Sequence, residues 1–193
     1  MKHPFRRKNL SLRLLPIYLV AAAAFFFARP TPAGFAIGSS LAAAGLALRA
    51  WGAGHLVKND RLTVSGPYGH LRHPLYAGTL LLTAGFVLIA GGAGVTVVGL
   101  CIAPVFFLYY LPYKDRVESA RLERRYGSVY TQYRRQVPQL LPSRVPYRPP
   151  PELASERDRR WSVACFRDND EAGTLVGVVL AVLLFALRPV LHL

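Results

Sequence analysis

Cysteine, histidine and acidic residues are all scarce in this 193-residue chain, and each shortage removes a class of function. There are 2 cysteines, Cys101 inside an apolar run and Cys165 in a polar segment. Two isolated thiols give no disulfide framework and no zinc site. The 5 histidines are His3, His55, His70, His73 and His192. His70 and His73 form an H-x-x-H pair, but the nearest carboxylate in sequence is Asp60, so no metal site is assigned. The sequence holds no nucleophile elbow, no P-loop and no G-x-G-x-x-G, which removes the usual signatures of serine hydrolysis and of phosphate or dinucleotide cradling. Acidic residues number 10 against 24 Lys and Arg, a net charge of +14.

That charge coexists with 52% hydrophobic residues. A soluble domain of this length seldom combines the two, so they are expected to be segregated along the chain. They are, in five apolar runs: Leu14–Ala28, Phe35–Trp51, Leu75–Ala90, Val95–Leu111 and Thr174–Leu187. With flanking small residues, most approach the roughly 20 residues of a spanning helix. The basic-then-apolar start imitates a signal peptide, but apolar segments follow at short intervals, which favours an uncleaved first span. Gly91-Gly92-Ala93-Gly94 reads as a tight turn that makes a hairpin of the third and fourth spans.

Counting Lys and Arg beside the spans orients the chain. Of the 24 basic residues, all but Arg29 and Arg188 fall on one side if five spans start with the N-terminus inside. The fold expected is therefore all-α: a polytopic membrane protein with about five transmembrane helices, N-terminus cytoplasmic and C-terminus outside. The expected location is a bacterial inner membrane. The same partition argues against nucleic acid as a partner. It favours anionic lipid headgroups and a lipid-like substrate from the bilayer; the oligomeric state stays open.

Two polar segments face the cytoplasm in this arrangement. Gly52–Pro74 is a compact loop. In the second, residues 114–136 read as an interfacial helix with Val117, Leu122, Tyr126, Val129, Tyr130 and Tyr133 spaced for one face. Gly127 is expected to weaken or break it. Pro138, Pro142, Pro146 and Pro149-Pro150-Pro151 then impose extended chain, and residues 152–172 read as irregular or a short surface helix. The expected organisation is a core over residues 1–142 with four spans, a proline-rich and charged linker over 143–172, and a fifth helix over 173–193.

The densest cluster of unusual residues is Gly66-Pro67-Tyr68-Gly69-His70-Leu71-Arg72-His73-Pro74-Leu75-Tyr76-Ala77-Gly78, where the loop enters the third span. Pro74 is suited to the first helical position. The helix start offers unpaired N–H groups and the positive end of a dipole to an anion. Arg72 and His73 add donors, and Tyr68 and Tyr76 add aromatic walls; an ordinary basic, aromatic belt at a membrane interface has the same composition. The second feature is Glu118, with Asp115 and Glu123 nearby. Its spacing allows an intrahelical ion pair with Lys114 or Arg121, or a carboxylate aimed at a ligand.

Together these clusters resemble the isoprenylcysteine carboxyl methyltransferase family and the related membrane phospholipid methyltransferases. The first region matches through Leu62, Gly66, Tyr68, Arg72, His73, Pro74, Tyr76 and Gly78. The second matches through Glu118, Leu122, Gly127, Tyr130, Tyr133, Val137, Pro138 and Pro142. Ser119 and Gln139 replace a common glutamate and arginine, and Lys114 stands where arginine is frequent. The resemblance covers residues 50–142. It implies S-adenosyl-L-methionine as cofactor, held by Leu62, Tyr68, Arg72, His73, Pro74, Tyr76 and Glu118, with Lys114 toward the substrate. It implies methyl transfer to a lipid-like or membrane-embedded acceptor by in-line displacement, which needs no covalent protein nucleophile, so no residue is singled out as catalytic. The alternatives are an NADPH-dependent membrane reductase of the sterol-reductase type, or a non-catalytic protein on the same scaffold.

Overall fold

The computed structural model describes residues 25–57 and 61–188. All but the last residues of the expected first span lie outside that range, as do Lys58 and Asp60. Among the described residues there are helices and turns and no strand.

Helix α1 runs Pro32–His55, capped by the Thr31 hydroxyl, which accepts from the Gly34 N–H at 3.1 Å. Helix α2, Pro74–Ala90, opens with proline at its first position, where the missing N–H costs nothing. The two pack at very short range. A Cβ on Gly45 would fall 2.7 Å from the Gly78 carbonyl oxygen, and one on Gly85 would fall 2.6 Å from that of Gly38. Only glycine permits such contact, and small residues at helix crossings are the usual device in a bilayer. Gly91 (φ 59°) and Gly92 (φ 78°) turn the chain into α3, Ala93–Pro104.

The sequence reading separates a span ending at Leu111 from a helix beginning near Lys114. The structure instead carries one helical path from α3 through a π-helical turn, Val105–Tyr110, into α4, Leu111–Gln136. Pro104 lacks the N–H that an α-helical ladder needs, and a widened turn absorbs the defect. Gly127 does interrupt α4, with φ 55° and ψ −130°. Val117, expected on its apolar face, is 52% exposed. Short helices α5 (Ala154–Arg157) and α6 (Val163–Asp168) precede α7, Glu171–Leu187.

By length and composition α1 is the one described helix able to cross a membrane; α2 and α7 are shorter apolar helices. Two apolar clusters organise the packing. At one end, Ile89, Ala90, Ala28 and Phe185 close around Phe25, Phe35 and Phe86. At the other, Leu62, Val64, Tyr130, Tyr133, Val137 and Tyr147 join the loop after α1 to α4 and the proline-rich chain beyond it.

As its prolines predict, the chain over 137–150 forms no helix, and the charged stretch that follows it is not a free linker. Ser162 N–H donates to the Gly54 carbonyl at 2.9 Å, and the Trp161 indole to Ala50 at 2.9 Å. The Asn169 amide donates to the carbonyls of Ala53 and Leu56. The carbonyls that end α1 are thus satisfied by residues more than a hundred positions downstream.

Candidate functional site

The loop between α1 and α2 is shaped by backbone pairing with the segment after α4. Arg72 N–H donates to the Pro138 carbonyl at 2.8 Å, His73 N–H to Gln139 at 3.1 Å, and Tyr147 N–H to Gly69 at 2.7 Å. The Tyr133 hydroxyl donates to the Tyr68 carbonyl at 2.8 Å. The two clusters singled out in the sequence therefore face each other across a cavity of about 480 Å³, within the range of small-molecule sites.

All seven residues assigned to a cofactor line this cavity: Leu62, Tyr68, Arg72, His73, Pro74, Tyr76 and Glu118. Arg61, Arg121, Arg125, Leu122 and Tyr126 complete much of the remaining wall. Lys114 does not line it; its ammonium lies over the Tyr110 ring, 5.8 Å from the centroid. Tyr110 in turn stands edge-on to Tyr76 at 6.4 Å, and Tyr76 against His73 at 5.3 Å, so an aromatic row runs from the π-helical turn to the cavity.

The residue that organises the wall is Asp115, which sequence reasoning noted only as a neighbour of Glu118. Its Oδ1 accepts from the Arg72 guanidinium at 2.9 Å and from His73 Nε2 at 3.0 Å. The Ser119 hydroxyl lies 3.4 Å from the same oxygen and 2.8 Å from the Tyr130 hydroxyl. Arg72 Nε also donates to the Val137 carbonyl at 3.1 Å. Burial opposes the charge on Asp115, but the His73 hydrogen bond and the Arg72 guanidinium outweigh it. They hold the carboxyl well below the usual carboxylate range. His73 thus spends its Nε2 on an internal carboxylate, while His70 turns to the Ser143 carbonyl at 2.9 Å. The H-x-x-H pair diverges, and the carboxylate that meets His73 comes from α4 rather than from the loop.

Glu118 is the counterpart. It is half-buried on the cavity wall and makes no ion pair or hydrogen bond with any described residue. The intrahelical pairing with Lys114 or Arg121 that its spacing allows is not formed. Glu123 does pair, with Arg134 at 2.9 Å. Burial, then the nearby Glu118 charge, pushes the Tyr68 phenol well above its ordinary value, so that hydroxyl stays protonated. Across the cavity, the first helical hydrogen bond of α2 runs from Ala77 N–H to the His73 carbonyl at 3.0 Å. The Leu75 and Tyr76 amides lie ahead of it, in the turn where a helix leaves N–H groups without partners.

Fold and site define a class: a helical protein whose cavity sets a helix start and a cation-rich rim against one uncommitted carboxylate. Residues 34–129 match the family model for phospholipid methyltransferase, and the chain belongs to that family of membrane methyltransferases. The match ends before the segment after α4 that pairs with the loop, and it lends no support to a reductase. No curated protein and no solved structure matches the chain.

Proposed function

We propose that the protein transfers a methyl group from S-adenosylmethionine to a lipid-like acceptor that enters from the bilayer. The observation that carries this reading is the pairing within one cavity of Glu118, a carboxylate without a partner among the described residues, with the open first turn of α2. The donor has an anionic carboxylate at one end and polar hydrogens on ammonium and ribose. The α2 start and the arginine rim suit the former; Glu118 suits the latter. Leu62, Tyr68 and Tyr76 supply apolar and aromatic surface. When bound, the sulfonium supplies the electrophilic methyl group. The chain itself supplies alignment and exclusion of water, which account for much of the rate in a displacement of this kind. Asp115 acts indirectly, by fixing Arg72 and His73 in the wall.

The same reading places five spans in the membrane, with the N-terminus and the cavity on the cytoplasmic side and the C-terminus outside. Anionic headgroups there would meet the exposed arginines of α4. Lys114, over the Tyr110 ring and outside the cavity lining, is assigned to the acceptor.

Isothermal titration of detergent-purified protein with S-adenosylmethionine and with NADPH tests the donor. Binding of the first and not the second is expected; the reverse would refute the reading. Incorporation of labelled methyl into a lipid extract then tests the acceptor class.

A further inference from the structure

One largely buried ion pair lies outside the cavity wall yet bears on it. Arg49, near the end of α1, makes a bidentate contact with Glu171, the first residue of α7. Nε donates to Oε2 at 3.0 Å and Nη2 to Oε1 at 2.6 Å. The side chains are 17% and 7% exposed. The third nitrogen, Nη1, is spent on α2: it donates to the Leu75 carbonyl at 3.1 Å and to the Thr79 hydroxyl at 2.6 Å. Thr79 closes the triangle by donating to the same Leu75 carbonyl at 2.9 Å. Gly78 is required here, since a Cβ would fall 2.5 Å from the Arg49 stem.

A charged pair buried among apolar helices is expensive to keep and is often less stabilising than apolar residues of similar size. Its geometry therefore invites a role other than stability. Leu75 lines the cavity, and its carbonyl is held from behind by Arg49. The element that orients Arg49 is α7, which lies outside the matched residues 34–129. A lysine could supply the charge but not three donors in a fixed fork.

We propose that Glu171 is a positioning residue for the cofactor cavity: through Arg49 it fixes the first turn of α2, where the donor's carboxylate binds. The inference rests on reading the cavity as the S-adenosylmethionine site. It makes α7 part of the working enzyme and not a separate anchor.

The test compares wild type, Arg49→Lys and the double variant Arg49→Met/Glu171→Leu by S-adenosylmethionine titration, thermal melting and hydrogen exchange over residues 77–80. The double variant removes both charges together, so its melting temperature should stay close to wild type. Its cofactor Kd should rise about tenfold or more, the scale that small misplacements reach, and exchange over 77–80 should quicken. Arg49→Lys should weaken binding in the same direction. Wild-type Kd and wild-type exchange in a folded double variant, or in Arg49→Lys should the double variant fail to fold, would overturn the proposal. Failure of the wild-type protein to bind the cofactor would instead refute the cavity's assignment, while the exchange measurement would still decide whether Arg49 and Glu171 hold the turn.

Discussion

The guanidinium of Arg72 and the carboxylate of Asp115 meet at 2.9 Å, joining the start of α2 to the start of α4. His73 binds the same carboxylate oxygen, so one acidic side chain orients both basic residues of the first cluster. Removing a single partner from a buried pair leaves an uncompensated charge, which is more costly than the pair itself is worth.

Asp115→Asn should accordingly destabilise the protein by about 3 kcal/mol and weaken cofactor binding as Arg72 and His73 lose their anchor. Because the folded carboxyl lies below its unfolded value of about 4, its contribution to stability is present above that pH. The contribution fades as the pH falls through the folded value. Melting temperatures followed from pH 7 downward should drop on acidification below about pH 4 in the wild type, and less steeply in the Asn variant.

His73→Ala should weaken cofactor binding through Asp115 and not by loss of a free donor. A double-mutant cycle with Asp115→Asn reads this directly. The two effects should be non-additive by about 0.5–3 kcal/mol, the range found for residues in one network. Simple additivity would place His73 on the ligand.

Gly127→Ala tests the break in α4. Nothing lies within 4 Å of the added Cβ, so any cost is conformational. At φ 55° and ψ −130° a Cβ is strained, and a loss of about 1–3 kcal/mol is expected by thermal or urea unfolding. An unchanged melting temperature would mean that α4 straightens without penalty.

For topology, the proposed five-span arrangement would put the C-terminus outside. A C-terminal reporter active only in the cytoplasm should therefore be silent. A strong signal would remove one of the five proposed spans.

Much of the cavity's lining was legible in the sequence because its determinants are local. Pro74 marks a helix start by its missing N–H, Gly91-Gly92 marks a turn by positive φ, and Gly127 marks a break. The seven residues assigned to a cofactor do share one cavity. What escaped was long-range. The partner of Arg72 and His73 sits 43 and 42 residues away, and no local spacing announces it. A clue existed: an Arg-His pair entering a wall needs a counter-charge, and α4 offered three carboxylates. The segment after residue 142 read as a linker because prolines forbid helix there. Yet proline-rich chain can still pair its remaining N–H groups, as Ser143 and Tyr147 do with His70 and Gly69. The run from α3 into α4 read as two elements because polarity changes at Leu111, although the backbone need not break where polarity does.

The carboxylate of Glu118 is the centre of the account, and the neighbouring Glu123 is its control, since it already pairs with Arg134. The most direct measurement is S-adenosylmethionine affinity in Glu118→Gln beside Glu123→Gln. Charge-assisted hydrogen bonds are roughly twice as strong as neutral ones, so Glu118→Gln should weaken binding about tenfold or more, with the melting temperature of the empty protein nearly unchanged. Glu123→Gln should leave affinity where it was. Small and equal effects from both substitutions would contradict the assignment and return Glu118 to the solvated face of the helix.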